Sequence, residues 1–170
     1  MSQPALFRVF IIGFSFIVWG IVVARYLWLQ LRGQSRAEAM QPLLILHSFR
    51  FVGLSFLVPG VVSPDLPADW ARPAAYSDVI AAILALLALA RLKSKLGTTL
   101  VWVFNVWGCA DLLYAFYQAN RVGLEAGQLG AAYFIVTVFV PLLLITHGLL
   151  FRLLLQGDVI AAEPCHRRAS

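Results

Sequence analysis

Long apolar runs alternate with short polar segments along the chain. Five of these runs are long enough to cross a bilayer as helices, since about 20 apolar residues suffice. The pattern therefore predicts an all-α fold, a polytopic membrane bundle of five transmembrane helices in a single domain, 1–155. The predicted spans are residues 5–31, 43–62, 74–92, 98–118 and 130–155. Residues 156–170 form a polar segment that we expect to be a flexible cytoplasmic tail.

Helix-breaking and capping residues suggest where the predicted spans begin and end. Pro42 suits the start of the second span because proline is tolerated in the first turn of a helix, and Pro59 is expected to kink or end it. Residues 63–73 contain three prolines and are predicted to be a loop, with Trp70 at the membrane interface. Thr98 or Thr99 is the expected N-cap of the fourth span.

The composition supports a membrane protein. The chain is 61% hydrophobic and 12% charged, with a mean hydropathy of +0.84, whereas soluble domains are about 45–50% apolar and about 25% charged. Its net charge of +5 comes from basic residues beside apolar runs, so we interpret them as topology signals and expect no nucleic-acid partner. Cys109 lies in an apolar run and Cys165 in the tail, which does not favour a disulfide between them.

Lysine and arginine are concentrated on one side of the predicted bundle. Because the cytoplasmic ends of spans are rich in these residues, this side is predicted to be cytoplasmic. The N-terminus is then outside and the C-terminus cytoplasmic, in what we expect to be a bacterial inner (plasma) membrane. The cytoplasmic side collects Arg25, Arg32, Arg36, Arg91, Lys93, Lys95, Arg152, Arg167 and Arg168, and the opposite side has Arg8, Arg72 and Arg121.

A polar centre is predicted inside the bundle, between the second, fourth and fifth spans. An arginine at membrane depth costs at least ~2.5–3.5 kcal/mol on insertion scales, so Arg50 requires a partner. Asp111 or Asp78 can supply it, and the sequence does not decide between them. Such a group can hold the helices together or can form an anion or proton site. The residues of this centre, which is also the candidate ligand-binding site, are His47, Arg50, Asp78, Asn105, Asp111 and His147.

Two histidines lie at matched depth on different predicted spans. His47 and His147 could therefore ligate a haem b iron from both sides, with Arg50 and Arg152 close to the propionates. The alternative interpretation is that each histidine forms a hydrogen bond to a neighbouring helix. The two-residue pattern has no spacing motif that would distinguish these possibilities.

Small residues recur at helical spacing along the predicted third span. Ala74, Ala81, Ala85 and Ala88 share a face with Asp78. Small side chains let membrane helices approach closely, so this stripe predicts a packing surface, here called the alanine seam. By contrast, the first span is expected to be the most lipid-facing of the five.

The predicted fourth span has a stripe of polar and aromatic residues. Trp107, Asp111, Tyr114 and Gln118 recur at helical spacing. They can line a pocket that opens to the outer leaflet, or they can be ordinary residues of the membrane interface, where tryptophan and tyrosine are common.

No catalytic motif is present: the chain has no Walker loop, dinucleotide fingerprint, HExxH or GxSxG. Enzymatic activity is left open, with a non-enzyme favoured. The first hypothesis is a small integral membrane protein that binds a small ligand or lipid, or assembles with a membrane-protein partner or as a homo-oligomer. One alternative is a haem-binding redox subunit using His47 and His147, and another is a small proton-coupled transporter using Arg50, Asp78 and Asp111.

Overall fold

The computed structural model describes residues 3–156, with side chains from residue 9 onward. Within this range every regular element is a helix, which confirms the all-α prediction. The α-helices are α1 Gln3–Val22, α2 Trp28–Leu31, α3 Arg36–Ser48, α4 Ala68–Ala90, α5 Lys95–Arg121, α6 Ala126–Leu129 and α7 Val140–Leu155. Two π-helical segments, Val23–Leu27 and Ile135–Phe139, and two 3₁₀ segments, Phe49–Leu57 and Gly130–Ala132, complete the set. Residues 157–170, which include Cys165 and nearly all of the predicted tail, lie outside the described residues.

Five helical stretches are long and apolar enough to cross a membrane, which confirms the predicted number. We refer to them in chain order as the first to fifth spans. They are Val9–Leu31, Arg36–Leu57, Ala68–Ala90, Lys95–Arg121 and Ile135–Leu155.

The second span begins earlier than predicted, at Arg36 instead of residue 43, because a capping box starts the helix there. The Ser35 side chain accepts a hydrogen bond from the Glu38 backbone N–H, and the Glu38 carboxylate accepts one from the Ser35 backbone N–H. Pro42 therefore lies inside α3, not in its first turn. The span ends at Leu57, before Pro59.

The third span also begins earlier than predicted, and its start changes the place of a tryptophan. Helix α4 begins at Ala68, so Pro73 lies within it. Trp70 is buried inside the protein: its ring packs edge-on against Phe56, and its indole N–H donates to the Ala115 carbonyl at 3.0 Å.

The fourth span begins at Lys95, and its N-cap is Ser94 instead of Thr98 or Thr99. The Ser94 hydroxyl accepts a hydrogen bond from the Gly97 backbone N–H at 3.1 Å. The fifth span begins at Ile135 instead of residue 130, since a 3₁₀ turn, Gly130–Ala132, occupies the start of the predicted span. The short helix α6 lies before that start.

The spans run alternately up and down, which gives the bundle two distinct ends. Connections 32–35 and 91–94 lie at the end that we call the basic end. Connections 58–67 and 122–125 lie at the other, the proline-rich end, where the Ser63 N–H bonds the Gln128 carbonyl and the Ala131 N–H bonds the Val61 carbonyl.

The interior of the bundle is formed mainly by the second to fifth spans. The alanine seam is confirmed as a packing surface, since Ala81, Ala85 and Ala88 are all 0% exposed. In an 18-residue apolar window of the first span only 6% of the residues are buried, against 28–44% in the corresponding windows of the other four, in agreement with its predicted lipid-facing position. It packs on the fifth span, where the Trp19 indole N–H donates to the Val138 carbonyl at 3.0 Å.

Candidate functional site

Arg50 contacts both predicted carboxylate partners. Its Nε donates to Asp78 Oδ1 at 2.8 Å, and its Nη2 lies 2.6 Å from Asp78 Oδ1 and 2.6 Å from Asp111 Oδ2. Its Nη1 donates to the Gly108 carbonyl at 3.1 Å. We call Arg50, Asp78 and Asp111 the charged cluster; it joins the second, third and fourth spans through a guanidinium whose side chain is 0% exposed.

The 3₁₀ conformation of Phe49–Leu57 directs Arg50 into this cluster. A 3₁₀ helix has three residues per turn, so side chains at i and i+3 lie directly above one another. The buried residues of this segment follow that period: Arg50, Gly53 and Phe56. In an α-helix the same three positions would drift around the helix by about 60° at each step. The segment therefore presents one straight buried face to the third and fourth spans.

Two glycines make room for the cluster. A Cβ atom at Gly53 would overlap the Asp78 carboxylate. A Cβ atom at Gly108 would lie 2.8 Å from Arg50 Nη1 and 2.7 Å from His147 Cε1. Both positions therefore require glycine for close packing of the charged side chains.

Next to the charged cluster, toward the basic end, lies a second polar group. We call it the histidine layer; its residues are His47, Asn105, Thr146 and His147, all 0% exposed. His147 Nδ1–H donates to Asn105 Oδ1 at 2.7 Å, and Asn105 Nδ2–H donates to the His147 carbonyl at 3.3 Å. Asn105 and His147 thus satisfy each other in a reciprocal pair, as the helix-bonding interpretation of the histidines predicts.

His47 completes the layer through the fifth span. Its Nε2 lies 3.0 Å from Thr146 Oγ1. The Thr146 hydroxyl has a carbonyl acceptor at Leu142, 2.9 Å away, so His47 Nε2–H is assigned as the donor to Thr146. In these tautomers His47 Nδ1 and His147 Nε2 are unprotonated, and neither has a hydrogen-bond partner within the described residues.

A haem does not fit between these histidines as they are arranged. Axial ligands of a haem iron lie on opposite faces of the macrocycle. The two imidazole rings are instead in direct contact, with centroids 4.2 Å apart, and Phe104 packs against both. Arg152, expected near a propionate, lies over the Trp28 ring at 4.0 Å. Within residues 3–156, no three histidine, cysteine, aspartate or glutamate side chains form a metal-binding group.

A cavity of about 350 Å³ lies beside the charged cluster, between the third and fourth spans. It extends from the proline-rich end past Asp111 as far as Trp107. Asp111 lies ten residues before the end of α5, about 15 Å along the helix. A second cavity, of about 30 Å³, adjoins it and reaches Asp78. The lining of the larger cavity is Asp69, Trp70, Pro73, Ala74, Ser77, Trp107, Ala110, Asp111, Tyr114, Ala115 and Gln118.

The polar groups of this cavity are mainly hydrogen-bond acceptors. Asp111 accepts from Arg50 through Oδ2 and from the Ser77 hydroxyl through Oδ1, and each oxygen keeps capacity for a further donor. Gln118 Oε1 is buried and has no partner within the described residues. Asp69 adds a second carboxylate at the mouth, and no basic residue from the described part of the chain lines the wall.

The structure brings all six predicted centre residues together, but divides them into two groups. Arg50, Asp78 and Asp111 form the charged cluster, and the other three belong to the histidine layer. Asp78 was predicted as a member, but its span, the third, also encloses the centre, whereas only the second, fourth and fifth spans were expected to do so. All four residues of the fourth-span stripe line the cavity, as the pocket interpretation predicts.

Several contributors were missed by reasoning from the sequence. Ser77, which bonds Asp111, is adjacent to Asp78 in the chain. Gly53 lies three residues after Arg50, and a glycine at that spacing from a buried arginine indicates close packing of the helix beside it. Trp70 was predicted to lie at the membrane interface, and its place in the cavity wall was not recognised.

Comparison with known proteins places the chain in a family without assigning it an activity. No curated protein and no solved structure matches the chain. Residues 7–155, which include all the residues of the charged cluster, the histidine layer and the cavity, match the family described as "Domain of unknown function (DUF8737)". Because the match covers most of the chain, the protein belongs to the DUF8737 family.

Proposed function

We propose that this protein is a small integral membrane protein that binds a small ligand in the cavity between its third and fourth spans. The observation that carries the proposal is the junction of cavity and charged cluster. A buried cluster needed only to hold helices together can be closed on every side, whereas Asp111 lines a 350 Å³ space. Ligand sites are typically concave, mostly apolar and fitted with a few convergent polar groups.

The proposed site is reached from the side of the bundle as well as from its proline-rich end. Trp107 and Tyr114 line the cavity and are 45% and 56% exposed. In a bilayer these surfaces face lipid or the membrane interface, so a ligand that partitions into the membrane can enter between the two spans.

The proposed topology places the basic end in the cytoplasm and the proline-rich end outside. Arg32, Arg91 and Lys93 lie in the connections of the basic end, as expected for cytoplasmic loops. The cavity then opens toward the exterior. Location in a bacterial inner membrane stays a prediction from the sequence.

The proton-coupled transporter receives less support from the geometry. Arginine does not release its proton in proteins, and Arg50 stands between the cavity and the histidine layer. The histidine layer itself is packed, with all four side chains 0% exposed. The described residues thus favour a site that opens on one side over a relay across the bundle.

The function is tested by native mass spectrometry of protein released directly from membrane discs without detergent washing. Wild type is expected to carry a bound non-protein mass that is lost in Ala110→Trp, because residue 110 is an exposed part of the cavity wall. Leu113→Trp is the matched control, since Leu113 is exposed on the same helix and does not line the cavity.

Two results would overturn the proposal. One is wild-type protein without any bound small molecule or lipid. The other is an identical set of bound masses in wild type, Ala110→Trp and Leu113→Trp. A bound second protein chain in place of a small molecule would instead favour assembly with a membrane partner.

The proposed topology is tested by reporter fusions at two positions. Green fluorescent protein at the C-terminus is expected to fluoresce, because that reporter folds in the cytoplasm. Alkaline phosphatase inserted in connection 58–67 is expected to be active, because it requires the exterior. The reverse pattern would place the cavity mouth on the cytoplasmic side.

A further inference from the structure

We infer that the ligand class of this cavity is a primary or secondary amine in its protonated form, with its ammonium group at Asp111 and an apolar body between the aromatic walls. This inference rests on the proposed function and specifies the chemistry of the same site. Three observations carry it: the charge of the cluster, the acceptors in the wall, and the arrangement of aromatic rings.

The charged cluster has one cation for two carboxyl groups. Arg50 contacts both Asp78 and Asp111, and none of the residues that line the cavity in the described range, 3–156, is basic. With both carboxyl groups ionised the cluster has one unit of negative charge in excess. A cationic ligand at Asp111 would balance this charge, whereas an anionic ligand would add to it.

The wall also supplies acceptors for N–H groups. The Asp111 side chain is 12% exposed and lines the cavity. The N–H donors of an ammonium can bond the oxygens of this carboxylate, whereas a quaternary ammonium has no such donor.

Aromatic side chains form the remaining walls. Trp70, Trp107 and Tyr114 all line the space. Aromatic rings attract cations through their faces and pack well against an apolar ligand body. The cavity volume of about 350 Å³ is at the lower end of the range of small-molecule sites, ~300–1,000 Å³.

An ammonium group can reach this cavity from two sources, a free amine or the headgroup of an aminophospholipid. Both present the same N–H donors and the same charge. The depth of Asp111, about 15 Å along α5 from its end, favours a small amine that enters the membrane over a headgroup held at the surface.

The test measures binding of 2-phenylethylamine to the full-length protein in phosphatidylcholine nanodiscs by isothermal titration calorimetry. The neutral analogue 2-phenylethanol and the quaternary benzyltrimethylammonium ion are the comparison probes. We expect the primary amine to bind at least tenfold more tightly than 2-phenylethanol, and severalfold more tightly than the quaternary ion. Equal binding of the amine and the alcohol, or no binding of the amine, would overturn the inference.

Variants assign the binding to the cavity. Asp111→Asn is expected to reduce amine affinity at least tenfold and Ala110→Trp severalfold, whereas Leu113→Trp leaves it unchanged. If Asp111→Asn does not fold, Ala110→Trp provides the test of location. Amine affinity unchanged in Ala110→Trp would refute the assignment.

The failures of the two proposals are distinguishable, and so are the two sources. A molecule lost from Ala110→Trp in native mass spectrometry, combined with no amine preference in calorimetry, would leave the cavity as a ligand site and overturn only the amine class. Repeating the titration in nanodiscs with phosphatidylethanolamine identifies the source. A weakened apparent affinity there, absent with phosphatidylglycerol, would assign the site to the lipid ammonium, and an unchanged affinity would assign it to a free amine.

Discussion

The two polar groups inside the bundle compensate their buried polar side chains in different ways. The histidine layer pairs neutral groups, is 0% exposed, and connects the second, fourth and fifth spans. The charged cluster connects the second, third and fourth spans and opens on the cavity through Asp111. This difference shows that burial of a polar group is not by itself evidence of function. The informative feature is charge and acceptor capacity that remain unused where a ligand can reach them.

The largest loss of stability is expected when the cation of the charged cluster is removed. Arg50→Leu leaves two carboxyl groups buried without their partner, and loss of one partner from a buried ion pair costs about 3–5 kcal/mol. We expect a fall of this size in the free energy of unfolding, measured by circular dichroism during SDS titration of protein in mild-detergent micelles.

The triple variant Arg50→Leu, Asp78→Asn, Asp111→Asn is the control for that experiment. It removes all formal charge from the cluster and should recover a large part of the lost stability. A loss below about 1 kcal/mol in the single variant, within the range of exposed pairs, would mean that the cluster is accessible to water.

The next largest effect is expected at the alanine seam, which holds the third span and therefore Asp78 in place. Ala85→Leu adds three carbon atoms at a position that is 0% exposed. Overpacking of this kind costs about 1–3 kcal/mol. A lower thermal midpoint in detergent is expected, whereas Ile83→Leu, at a position 51% exposed on the same helix, should change little. Equal midpoints for both variants would show that the seam tolerates a shift of the helix.

A single added methyl group tests the close contact between the two polar groups at Gly108. Gly108→Ala places a methyl group 2.8 Å from Arg50 Nη1 and 2.7 Å from His147 Cε1. We expect destabilisation near the lower limit for overpacking, about 1 kcal/mol. Gly148→Ala is the matched control, since no atom lies within 4 Å of its added Cβ. The SDS-unfolding assay should separate the two variants, and equal stability would contradict the close contact at Gly108.

The smallest effect is expected within the histidine layer, as a coupling energy between two of its residues. A double-mutant cycle with Asn105→Leu and His147→Phe should give a coupling of about 0.6 kcal/mol, as measured for polar pairs between membrane helices. The same cycle with Asn105→Leu and Asp78→Asn should give a coupling near zero, because these residues belong to different groups. Comparable coupling in both cycles would show that the two groups act as one network.

The sequence was sufficient for the number of helices and for the members of the polar centre. Apolar runs predict helices because helices satisfy their own backbone hydrogen bonds in lipid. Arg50 predicted carboxylate partners because few other groups can compensate it. Depth counted along the helices also placed His47 and His147 at the same level, and their rings are in contact in the structure.

Helix starts and the cavity were harder to predict, for different physical reasons. The start of the second span was encoded locally by Ser35 and Glu38, but hydropathy gave more weight to the apolar residues after Pro42. The cavity depends on how Trp70 is oriented between Phe56 and Ala115. That orientation is a property of three packed helices, which no single stretch of sequence reports. The 3₁₀ segment likewise has an apolar composition that suits an α-helix equally well.

In a membrane-spanning bundle, as proposed above, the 3₁₀ segment also connects the charged cluster to the thickness of the bilayer. Its nine residues, Phe49–Leu57, span about 18 Å at ~2.0 Å per residue, whereas an α-helix of the same residues would span about 13.5 Å. A membrane that thins by a few ångströms therefore favours rewinding of this segment, since hydrophobic mismatch costs fractions of a kcal/mol per ångström. Rewinding rotates Phe56 by about 120° relative to Arg50 and removes it from the Trp70 ring. The length of the lipid chains would then change the contact between Phe56 and Trp70, and with it the wall of the cavity.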